Sequence, residues 1–66
     1  MKEVTKDEFY KYVVSYPREL VKHVGTTCDP KMIVYFDGET AVARHPVDDA
    51  GNGYGWEIEG AQQNAD

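Results

Sequence analysis

His23, Cys28, Asp29 and His45 are the side chains of this 66-residue sequence that offer soft or borderline donors to a metal. A structural zinc centre takes four ligands, usually supplied as Cys-x₂-Cys or His-x₃₋₅-His pairs. Here Cys28 is the only cysteine and stands five positions after His23. That spacing favours two scattered histidines and a small buried or turn cysteine. Cys28 beside a histidine would also make a nucleophile pair. Asp29 adjoins the thiol, however, and would raise its pKa, while no Lys or Arg flanks it to lower it. Asp48 to Gly55 (Asp-Asp-Ala-Gly-Asn-Gly-Tyr-Gly) superficially resembles an ion-binding loop. A calcium loop needs acids at alternate positions and a distal Glu, and a phosphate loop needs a Lys or Arg and a following helix. The acids here are adjacent and a strand pattern follows, so the stretch reads as a flexible connection with glycines at its turns. The expectation is a non-enzyme with no catalytic residue, metal or cofactor.

The elements that would carry these side chains centre on Lys31 to Arg44. Two apolar runs, Met32 to Phe36 and Ala41 to Ala43, flank Asp37-Gly38. An Asp-Gly pair between β-prone runs is a strong hairpin signal, because a type I′ turn needs φ > 0 at both central residues. With Asp37 and Gly38 as the turn, Phe36 faces Glu39, Tyr35 faces Thr40, Val34 faces Ala41, Ile33 faces Val42 and Met32 faces Ala43. One face then carries Met32, Val34, Phe36, Ala41 and Ala43, and the other Ile33, Tyr35, Thr40 and Val42. Both are substantially apolar, whereas a sheet with one wet face alternates apolar and polar. A one-residue slip would exchange the two faces.

Upstream, Thr5 and Glu8 form a capping box, with Val4 and Phe9 as the hydrophobic staple. Asp7 and Glu8 lie where the helix dipole favours anions. Phe9, Tyr12, Val13 and Tyr16 recur at helical spacing, and Pro17 ends the run, which predicts a helix over 5–15. Residues 19–25 read as a strand on their β-branched Val21 and Val24, although the spacing of Leu20, Val21 and Val24 also suits a helix. Cys28-Asp29-Pro30 reads as a turn. His45-Pro46 is expected to end the second hairpin strand. Tyr54, Trp56 and Ile58 alternate with Gly55, Glu57 and Glu59 to predict a half-buried strand over 54–59. The expected architecture is α+β: one N-terminal helix on a three- to four-stranded antiparallel sheet with a central hairpin. It forms a single domain over 1–60, followed by a flexible polar tail over 61–66. The helix is expected to cover the Ala41 and Ala43 face, leaving Ile33, Tyr35 and Val42 for another molecule.

A chain this short buries only about 60% of its unfolded surface and is marginally stable. With one cysteine it has no internal disulfide. A single thiol and an N-terminus without an apolar core point to a cytoplasmic protein, and no stretch has the roughly 20 apolar residues of a membrane span. Net charge is −5. It is uneven: residues 1–31 hold six basic and five acidic side chains, and residues 32–66 one basic and seven acidic. Such a field disfavours nucleic acid and would steer basic partners, although it is also ordinary for solubility.

Phe9-Tyr-x-Tyr-Val-x-Ser-Tyr-Pro-Arg-x-Leu20, followed by Cys28-Asp-Pro30 and Tyr35, resembles small uncharacterised proteins of tailed bacteriophages, over about the first half of the chain. Lys31 stands where that family often has a second proline. The resemblance implies a viral accessory protein acting in the host cytoplasm and carries over no active site. The leading expectation is a small acidic protein that binds and modulates a host protein with a basic surface. Its candidate contacts are Ile33, Tyr35, Val42, Asp37, Glu39, Asp48, Asp49, Glu57 and Glu59, with Tyr10 and Tyr54 as further aromatic contacts. The alternatives are a homodimer closed through the sheet face and, less in keeping with the residues, a small enzyme or metal protein.

Overall fold

The structure is a computed structural model that describes residues 1–27 and 30–59. The Cys28-Asp29 turn and the expected tail over 61–66 lie outside the described residues. The elements are β1 (Lys2–Glu3), α1 (Lys6–Val14), β2 (Val21–Gly25), β3 (Lys31–Asp37), β4 (Thr40–Val47) and β5 (Glu57–Ile58). The strands form one antiparallel sheet in the order β1-β5-β4-β3-β2. The fold is therefore α+β, with five strands rather than three or four. The additional strand is β1, where two residues too few to show a period pair Lys2 with Ile58 and Glu3 with Glu57.

This order dictates where the helix goes. β1 and β2 occupy opposite edges of the sheet, and each is two antiparallel steps from β4, so they run parallel. Parallel strands need a crossover connection. Residues 4–20 must cross the sheet from edge to edge, and α1 lies over one face as a result. Its start follows the sequence closely. The Glu8 N–H donates to Thr5 Oγ1 at 3.2 Å, and the Thr5 N–H donates to Glu8 Oε1 at 3.0 Å. Phe9 is fully buried, and Val4, Tyr12, Val13 and Tyr16 pack around it.

The hairpin differs from expectation in two ways. Its turn is Gly38-Glu39, since Asp37 pairs with Thr40. Gly38 has φ +64°, and no non-glycine residue among the described residues has positive φ. That is the backbone pattern of a type II′ turn, which needs φ > 0 only at its first central residue. The register then shifts: Phe36 pairs with Ala41 but Tyr35 pairs with Ala43, leaving Val42 as an extra residue in a β-bulge. Beyond the bulge Val34 opposes Arg44 and Ile33 opposes His45.

The bulge decides which face is buried. Directly opposed residues share a face. One cross-strand row therefore runs Lys2, Ile58, Ala43, Tyr35, Lys22, and the next runs Glu3, Glu57, Arg44, Val34, His23. The helix covers the first. Phe9 contacts the Tyr35 ring edge-on at 5.7 Å, and Phe9, Val42 and Ala43 form the buried core. Ile33, Tyr35 and Val42, expected to face a partner, lie on the helix side: Val42 is 1% exposed, and Tyr35 and Ile33 are part-buried there. Ala41 and Ala43, expected together, sit on opposite faces because an odd residue separates their registers.

Two further boundaries move. β4 continues through Pro46. A strand residue's N–H and C=O point to the same side, and the Pro46 carbonyl accepts from the Tyr54 N–H at 3.2 Å. The missing N–H therefore faces the 53–54 segment and removes no bond to β3. The predicted strand 54–59 shrinks to Glu57–Ile58, because Gly55 adopts φ +56° and breaks the extended run. Trp56 and Ile58 still reach the core, while Tyr54 is about half exposed.

Candidate functional site

The expected contact residues do not gather into one surface. Asp37 and Glu39 lie at the β3–β4 tip, and Asp48 and Asp49 follow the other end of β4, about 26 Å away at the rise of an extended strand. Asp37 is held at home. Its carboxylate accepts from the Tyr16 hydroxyl at 2.9 Å and forms a salt bridge with Arg18, whose Nε lies 2.9 and 3.0 Å from its two oxygens. The Arg18 guanidinium, and then the Tyr16 hydroxyl, hold the Asp37 carboxyl below the usual carboxylate range. Asp48 organises its own loop, accepting from the Ala50 N–H at 3.0 Å and the Asn52 N–H at 2.8 Å. The 48–53 connection is thus a hydrogen-bonded turn. Glu57 is bonded to Arg44 Nε at 2.7 Å. Of the expected acids, Glu39, Asp48 and Asp49 are exposed, and Glu59 is half-buried beside Tyr12.

The two histidines lie on opposite faces, so no single ion reaches both: His23 opposes Val34, and His45 opposes Ile33. His23 is exposed and meets Phe36 edge-to-face at 5.1 Å. The candidate roles of Cys28 and Asp29 fall outside the described residues.

Two surfaces remain. The first is the sheet face away from α1. Val21 opposes Phe36, which opposes Ala41, and Gly25 opposes Met32, which opposes Pro46. With Val34 these make an apolar band, bordered by the Glu3, Glu57 and Arg44 end of the central row. Val21 is 53% exposed, and Met32, Val34, Phe36 and Ala41 are partly exposed. No described element lies over this band, because the one helix crosses the other side.

The second surface is a cleft of about 340 Å³ on the helix side. Lys6 and Tyr10 of α1 form one wall, and Lys22, Ile33 and Tyr35 of the sheet form another. His45 and Trp56 close it beside the 51–53 loop. His45 is 4% exposed and lies 4.2 Å from the Trp56 ring and 5.3 Å from Phe9. Its Nδ1 is 3.0 Å from the Pro46 carbonyl. A carbonyl only accepts, so Nδ1 carries the proton and Nε2 is left as the acceptor. Burial pushes the His45 pKa below its ordinary value, and the nearby Lys22 acts in the same direction. Gly53 makes this packing possible: a Cβ there would lie 2.5 Å from Trp56 and 2.8 Å from His45 Nδ1.

Spacing could not reveal this cleft, because its walls come from four elements and a loop. No protein family model, curated protein or solved structure matches the chain. No described helix is long and apolar enough to cross a membrane.

Proposed function

We propose that this chain is a small protein-binding accessory module, of the kind tailed bacteriophages encode, that modulates a host protein by docking its helix-free sheet face. The carrying observation is the uncovered band of Val21, Met32, Val34, Phe36 and Ala41. Contiguous exposed apolar surface on a small protein marks an interaction site more often than chance exposure does. Glu3 and Glu57 at its margin, with Glu39 at the hairpin tip, suit a partner whose apolar patch is flanked by basic side chains. The acids supply steering, and the band supplies affinity.

Val34→Glu places a charge in the middle of the band and leaves the helix side intact. Affinity capture from a host extract should retain one stoichiometric partner on the wild-type chain and lose it with Val34→Glu. Equal capture by both, or no capture by the wild type, overturns the reading. A second reading is a homodimer, favoured by the free outer edge of β2, where Val21 and Val24 are each about half exposed. Sedimentation of a dilute sample separates the two, since a dimer that survives Val34→Glu assigns self-association to the β2 edge instead.

A further inference from the structure

We infer that the helix-side cleft binds a small aromatic anion, a flat ring carrying a phosphate or carboxylate group. Its volume of about 340 Å³ falls at the lower end of the range of small-molecule sites. Three independent features select the ligand class. The first is charge. Lys6 and Lys22 line the cleft and no carboxylate does, in a chain whose net charge is −5. Neither ammonium reaches an acid within salt-bridge distance among the described residues. Two unpaired lysines repel a cation and attract an anion.

The second feature is an orphaned acceptor. His45 is almost wholly buried in the cleft wall, Nδ1 donates to Pro46, and Nε2 has no partner among the described residues. A buried polar atom left without a partner calls for an explanation. A ring N–H or exocyclic N–H of a ligand supplies one. The third feature is the aromatic lining. Tyr10 lies 5.4 Å from Trp56 by ring centroids, and Tyr35 forms the facing wall. Such surfaces hold a flat ring by offset or edge contacts. The ring would rest among Tyr10, Tyr35 and Trp56 with its donor on His45, and the anionic group would extend toward Lys6 and Lys22.

Amide NMR of the full chain tests this with adenosine 5′-monophosphate as the aromatic phosphate and indole-3-acetate as the aromatic carboxylate. One or both should produce saturable shifts centred on Lys22, Gly53 and the Trp56 indole N–H. Saturation by only one of them identifies which anionic group the cleft prefers. Adenosine and inorganic phosphate, each carrying half of the recognised chemistry, should bind at least roughly tenfold more weakly. The exposed double variant Lys6→Gln/Lys22→Gln should keep the wild-type spectrum and weaken the better ligand by about tenfold. Three results would overturn the inference: no saturable shift from either anion up to about 10 mM, shifts unaffected by the double variant, or shifts scattered away from the cleft.

Discussion

At the scale of single residues, His45 and Asp37 shape the response of the fold to acid. His45 is buried as the neutral imidazole, with its pKa held down by desolvation. The unfolded chain therefore takes up that proton first as pH falls. The resulting stability is complete above pH about 6.5, the unfolded value, and is lost progressively below it. His45→Phe keeps a ring between Phe9 and Trp56 and removes the titration. Urea unfolding of this variant should show a flat pH dependence from about 6.5 to 5 where the wild type declines. Asp37 acts lower. Arg18 and Tyr16 depress its pKa, so its contribution is present above about pH 4 and disappears as the carboxylate is protonated. Asp37→Asn should therefore weaken the second acid limb and leave the His45 limb unchanged. The sequence singled out both residues, but not the contacts that shift them. Asp37 looked like a turn residue open to a partner. Its actual bonding depends on Arg18, nineteen positions earlier, which no local pattern connects to it.

At the scale of elements, legibility tracked how local the cause was. The Thr5–Glu8 capping box and the Phe9 stripe are set within one turn or two, and helix α1 follows them closely. The hairpin was recognisable from its apolar runs, but its turn moved by one residue, because Gly38 alone accepts positive φ while Asp37 is drawn into the Arg18 pair. Gly38→Ala should cost about 1 kcal/mol on backbone strain alone, since a Cβ there meets nothing within 4 Å. The Val42 bulge has no sequence mark at all, yet it puts Val42 and Ala43 together in the core. Val42→Ala should cost about 2 kcal/mol and lower Tm by roughly 10 °C, measured by thermal circular dichroism. Glu3 directly opposes Glu57 on β1 and β5, a like-charge pair. Glu3→Lys should raise Tm by about 2 °C, an effect that fades with added salt.

At the scale of the whole molecule, one short helix serves a five-stranded sheet and shields only one side. The sequence made that imbalance visible as apolar residues on both hairpin faces, but of the Ala41 and Ala43 face expected under the helix only Ala43 lies there. That difference belongs to the crossover between the outer strands and to the parity change at Val42. Val34 and Phe36 therefore lie on the helix-free face, and Ile33 and Tyr35 on the helix side. A basic partner drawn by the net charge of −5 should associate roughly tenfold more slowly when salt rises from about 0.05 to 0.5 M, with a smaller change in dissociation rate.

The position of β5 has a consequence for assembly. It is the last strand in chain order, yet it lies between β4 and β1, and its neighbour Trp56 accepts the Val4 N–H at 2.9 Å. During synthesis β2, β3 and β4 can zip together as they emerge, but the flank of β4 and all of β1 must wait for Glu57 and Ile58. A nascent chain halted before that point would present an unpaired strand edge to its surroundings, and Lys2 and Glu3, made before the other described strands, would be among the last to find their place.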